Sequence, residues 1–128
     1  MAAIGRRNVQ EQNRDTQERI RATASSFRTD PLRYSWLIEI LQAKSLSPER
    51  GVLVSLTREP EQFGDICQGL WLTHESKFFE FSVLLQRNDA GSELEEWRDV
   101  TDETIVNAHQ PGTGKSFGLL ALEVLGET

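Results

Sequence analysis

Hydrophobic and polar positions alternate most cleanly across residues 77–86, KFFEFSVLLQ. Phe79, Phe81, Val83 and Leu85 fall on one side of an extended chain, and Glu80, Ser82 and Gln86 on the other. One side is predicted to face a core and the other water. Immediately upstream, GLWLT at 69–73 is joined to this run by the short polar stretch HES, a pattern that predicts two adjacent strands. VLVSLT at 52–57 reads as a further strand, and LEEWRDVT at 94–101, after the loop-like RNDAGSE, as an edge strand carrying Trp97 and Val100. The final run, KSFGLLALEVLGE, places Phe117, Leu120, Ala121 and Val124 on one helical face, although Gly118 weakens a helix there.

Residues 33–43, RYSWLIEILQA, satisfy two periods at once. Leu37, Ile40 and Leu41 have helical spacing, whereas Tyr34, Trp36, Ile38 and Ile40 alternate and are residues that favour strands. The turn-rich SLSPERG that leads into VLVSLT tips the reading towards a strand, because two apolar runs flanking a short loop resemble a hairpin. The elements together predict an α+β fold: an antiparallel sheet of four to five strands packed by a C-terminal helix, with a basic N-terminal arm or helix. Short connections favour antiparallel pairing, since parallel neighbours need crossovers of roughly a dozen residues or more.

Residues 1–29 have large apolar side chains only at Ile4, Val9, Ile20 and Phe27. That is too little surface to offset the entropy of ordering unless something supports the segment, so it reads as an arm, helical or disordered. Asp30-Pro31 marks a boundary, because Asp caps helix N-termini and Pro is tolerated in a first turn. Residues 30–128 are then a single domain. A chain of 128 residues, 38% hydrophobic, has no room for a second of similar size. No apolar run approaches the roughly 20 residues that cross a bilayer, and no apolar signal core opens the chain. With one cysteine, Cys67, no internal disulfide can form; a cytoplasmic protein is expected.

Charge changes this picture more than composition does. The formal net charge is −6, but residues 1–33 carry seven arginines against four acids, and the remainder is strongly acidic. An acidic body repels phosphate backbones, so nucleic acid is expected to be met only through the arm, if at all. Within SELEEWRDVTDE, Glu93, Glu95, Glu96, Asp99 and Asp102 surround Trp97. An aromatic anchor ringed by carboxylates is the pattern of a surface that steers and docks a basic protein partner. The resulting expectation is a non-catalytic protein-binding module, for which an immunity-type or antitoxin-type inhibitor is one fitting role.

The competing chemistry lies in HQPGTGKS. Gly114, Lys115 and Ser116 match the end of the phosphate-binding pattern, in which glycine backbone N–H groups, a lysine and a hydroxyl hold phosphates and magnesium. Over Pro111 to Ser116 the string resembles the phosphate-gripping loop of AAA-type ATPases. That resemblance implies a phosphate contact for Lys115 and a magnesium contact for Ser116. His109 stands where the pattern's first glycine belongs, and only twelve residues follow Ser116, too few for the parallel strands that complete such a site. A turn built by Pro111, Gly112 and Gly114 is the plainer expectation. A small-ligand or nucleotide site using His109, Gly112, Gly114, Lys115 and Ser116 is the alternative.

Asp65, Cys67 and His74 are too few and too scattered for a structural zinc site, and no motif presents Cys67 as a nucleophile. No metal and no cofactor are expected. Cys67 reads as a small buried hydrophobe, and Trp36 and Trp71 as core residues.

Overall fold

The structure, a computed structural model, describes residues 9–107 and 115–127. Its sheet is a meander of four strands, each antiparallel to the next: β1 (Val52–Glu61), β2 (Gly64–Leu72), β3 (Phe78–Gln86) and β4 (Ser92–Asp99). Three helices pack on it: α1 (Val9–Thr29), α2 (Ser35–Ala43) and α3 (Phe117–Gly126). The α+β architecture and the C-terminal helix expected from the periodicity are both present. No helix among the described residues is long and apolar enough to cross a membrane.

Strand alternation sorts the core into two layers. On the first face Val52, Val54, Leu72 and Phe78 meet Ile20 and Ala24 of α1 and Leu120, Ala121 and Val124 of α3. On the second face Leu53, Trp71, Phe81 and Val83 meet Phe27, Tyr34 and the buried side of α2, formed by Leu37, Ile40 and Leu41. Phe27 packs edge-on to Trp71, with ring centroids 5.3 Å apart. β1 does not alternate regularly. Leu53 pairs with Trp71 and Ser55 with Leu70, so Val54 is an extra residue in a β-bulge, and Val54 and Ser55 share the first face. Leu56 thereby returns to the second face three positions after Leu53. At Gly69 a Cβ would lie 2.5 Å from the Phe81 ring and 2.6 Å from the Ser55 carbonyl oxygen, so only glycine lets the ring lie flat on β2.

Two expectations are corrected. Residues 34–43 are not a strand: after a 3-10 turn, Pro31–Tyr34, the chain continues as α2, so the apparent hairpin around SLSPERG does not exist. Helix wins because Leu37, Ile40 and Leu41 form a stripe that the second face can bury, while Trp36 and Ile38, half-buried, flank it. Asp30 sits at the start of that turn, but its carboxylate accepts no capping hydrogen bond.

The N-terminal segment is helical from Val9 to Thr29. Ile20, Ala24 and Phe27, spaced by four and three, form a buried stripe against the sheet. Polar contacts tie α1 to α3. Gln17 Nε2 donates to Glu123 at 2.6 Å, and the Arg21 guanidinium makes two hydrogen bonds to the Glu127 carboxylate, at 2.8 and 2.6 Å. Gly118 at the start of α3 is required by close approach, since a Cβ there would sit 2.8 Å from the Thr104 carbonyl oxygen of a π-helical turn, Glu103–Asn107.

Candidate functional site

β4 is the sheet's last strand, and every residue of it except half-buried Trp97 is exposed. Its register distributes the acidic run over more than one surface. Trp97 pairs with Phe81 and so belongs to the second face. Its ring stacks on Phe79 at 5.1 Å and 18°, lies 6.3 Å from Phe81, and is covered by the Lys44 ammonium 5.7 Å from its centroid. Trp97 is thus an anchor that fixes β4 to the domain, with one side already occupied.

Glu96 pairs with Ser82 and Glu93 with Leu84, which puts both on the first face, away from Trp97. Glu95 is the extra residue of a second bulge, where the register jumps from Glu96 to Leu94 while β3 advances from Ser82 to Val83. Asp99 is engaged locally: its carboxylate accepts from the Thr101 backbone N–H at 3.0 Å and from the Thr101 hydroxyl at 2.6 Å, and those bonds hold it below the usual range. Asp102 is exposed in the turn that follows.

The first face carries the feature that strand patterning did not disclose. Only part of that face is clad by α1 and α3; the remainder is the floor of an open groove of about 480 Å³. Register makes the floor from one cross-strand row, Thr57, Gln68, Ser82 and Glu96, each opposite the next. Adjacent rows supply Ser55, Leu70 and Glu80, and the wall is completed by Glu103, Thr104 and Phe117.

Arg98 stands among the carboxylates, 2.9 Å from Glu80, 3.5 Å from Glu96 and 3.9 Å from Glu103. Glu80 foremost, then Glu103, holds this guanidinium still more firmly protonated. Ion pairs this exposed are screened by solvent, so the cluster contributes little to the fold. Three carboxylates facing one guanidinium leave the groove negative. No family model, curated protein or solved structure matches this chain.

Of the residues in the alternative site, His109, Gly112 and Gly114 lie outside the described residues. Lys115 pairs with Glu123, and Ser116 is buried as the N-cap of α3, its hydroxyl accepting from the Leu119 N–H at 3.2 Å. Cys67 is buried on β2, where desolvation pushes its thiol pKa up, away from the reactive thiolate. Asp65 pairs with Arg58 at 2.7 Å, and His74 is exposed in the β2–β3 turn. Among the described residues no three His, Cys, Asp or Glu side chains are grouped to hold a metal.

The side chains that sequence reasoning missed are Thr57, Gln68, Glu80, Ser82 and Arg98, whereas Glu103 closes the acidic run already singled out. Two signals pointed towards them. Glu80 and Ser82 were legible as the polar side of β3, and Arg98 is the lone cation in an acidic run. Pairing these with Gln68 and Thr57 needs the register, which no single strand encodes.

Proposed function

We propose that this chain is a non-catalytic protein-binding module of the immunity or antitoxin type, which masks the cationic nucleic-acid-binding surface of a basic partner. One observation carries the reading. The edge strand β4, whose outer side pairs with no other strand among the described residues, presents Glu93, Glu95 and Glu96 to solvent, while Trp97 stacked on Phe79 and Phe81 keeps that strand in place. Rigid presentation matters because carboxylates held in a fixed array lose less entropy on docking than the same charges on a mobile tail. Such a surface also accelerates encounter with a cationic partner and is weakened by salt. Of the α1 arginines, Arg21 is occupied by Glu127.

The test is affinity capture with the full chain against a variant carrying Glu93→Lys, Glu95→Lys and Glu96→Lys, with Trp97 retained so that the fold is kept. The expected result is a basic protein that the parent chain retains at low salt, releases at high salt, and that the reversed variant does not bind. A captured protein that is acidic, or that binds both chains alike, would remove the reading.

A further inference from the structure

Ser82 is the residue in the groove that the fold does not explain. It retains 8% of its surface, yet its hydroxyl has no hydrogen-bond partner among the described residues. Among the described residues no side-chain polar atom is both sealed from solvent and unbonded, so this hydroxyl keeps an opening, and the groove is the space that it lines. A buried hydroxyl forgoes solvation that a protein partner would normally replace. Here that partner is whatever enters the groove, solvent water or a ligand group that displaces it.

The surroundings define that occupant. Glu96 lies directly across from Ser82 on β4 and Gln68 directly across on β2, spaced at about 4.8 Å by the sheet. Glu80 and Glu103 stand to the side, and Phe117 offers a ring at the wall. Glu96 and Glu103 meet Arg98 only at 3.5 and 3.9 Å, so their oxygens keep acceptor capacity. Acceptors predominate and the local charge is negative, which rejects carboxylates and phosphates. A compact ammonium satisfies one or two of these acceptors; a planar guanidinium, with five donors in a fixed fork, reaches acceptors on neighbouring strands at once and can lie against an aromatic ring.

We propose that this groove receives a guanidinium, presented by an arginine side chain of the basic partner, with Ser82, Glu96 and Glu103 as its acceptors. The proposal rests on the protein-binding reading above and adds the partner chemistry to it. It places the recognition element on the first face beside β4, so that one docking event engages the edge carboxylates and fills the groove together.

The probe is N-acetyl-arginine amide, titrated into the ¹⁵N-labelled full chain, with the citrulline analogue as a neutral isostere and the lysine analogue as a non-planar cation. Saturable amide shifts at Gln68, Ser82 and Glu96 are expected with arginine, weaker ones with lysine and none with citrulline. Ser82→Ala removes a hydroxyl that bonds nothing in the fold, and Glu96→Gln alters an exposed side chain; each should weaken arginine binding by about fivefold. Equal response to citrulline, shifts confined to the Trp97 face, or binding unchanged in both variants would overturn the proposal. Since the probe is not a protein, a groove that takes arginine while no basic partner is captured sinks the inhibitor reading alone. A partner that depends on Glu93, Glu95 and Glu96 while the groove ignores arginine sinks the groove alone.

Discussion

Phe27→Ala is the most informative test of how the N-terminal segment joins the domain. Phe27 is 6% exposed, and its ring lies 5.3 Å from Trp71 and 5.5 Å from Tyr34. Truncation removes roughly 130 Å² of buried apolar surface, which at about 25 cal/mol per Å² is ~3 kcal/mol, and the cavity left beside Trp71 raises the loss to about 3–5 kcal/mol. The better helix propensity of alanine returns only about 0.5 kcal/mol. Against a total stability of about 5–15 kcal/mol for a domain of this kind, the variant should unfold at a much lower urea concentration. With a slope of about 1.5 kcal/mol per molar, the midpoint moves down by roughly 2–3 M. Far-UV circular dichroism follows the transition, and Arg28→Ala, exposed on the same helix, serves as a control that should stay within about 0.5 kcal/mol. A Phe27→Ala loss below about 1 kcal/mol would refute the placement of α1 in the core.

Two further outcomes follow from the last helix. Ser116→Ala removes the N-cap of α3 and should lower stability by about 1 kcal/mol in the same denaturation experiment; no measurable change would mean that the cap hydrogen bond contributes nothing. Acidification should loosen the α1–α3 seam. Glu123, bonded by Lys115 and Gln17, and Glu127, bonded by Arg21, are both held below the ordinary carboxylate range. A depressed folded pKa gives stability that is present above the unfolded value and is lost as pH falls through the folded one. The melting temperature should therefore drop between about pH 5 and pH 3, and a Glu123→Gln, Glu127→Gln variant should drop less steeply. Parallel curves for the two proteins would contradict this assignment.

Strand content and the final helix were legible because each rests on one dominant period. β3 alternates through Phe79, Phe81, Val83 and Leu85, and α3 buries Leu120, Ala121 and Val124, a pattern that helical spacing alone exposes. α2 was not legible for the opposite reason. Its nine residues are apolar on nearly every side, so the strand period and the helix period fit equally, and only the presence of a sheet face to bury Leu37, Ile40 and Leu41 decides between them. In α1 the deciding residue was small: Ala24 links Ile20 to Phe27 into a continuous stripe, and a search for large apolar side chains passes over it.

The candidate site was legible only in its charge. The acidic run showed which residues carry carboxylates but not which surface each occupies, because the Glu95 bulge breaks the alternation by which faces are counted. Trp97 looked like a free anchor in the sequence, and its stacking on Phe79, eighteen residues upstream, depends on its pairing with Phe81 on another strand. Ser82 looked like any solvated position on a polar side. Its burial comes from neighbours contributed by β2, β4 and the turn after them.

The bulge in β1 separates the phase of the strand from its length. Losing one residue from an ordinary strand turns its remaining length inside out, exchanging oily and wet surfaces all the way to the end. Here Leu53 and Ser55 already occupy successive pairing positions, opposite Trp71 and Leu70. Excising Val54 would leave a regularly alternating Leu53-Ser55-Leu56, with Thr57 still in the row that includes Ser82 and Leu56 still beneath α2. The supernumerary valine is itself buried in the first layer, so its loss would keep the floor of the groove in phase while emptying a site in the core.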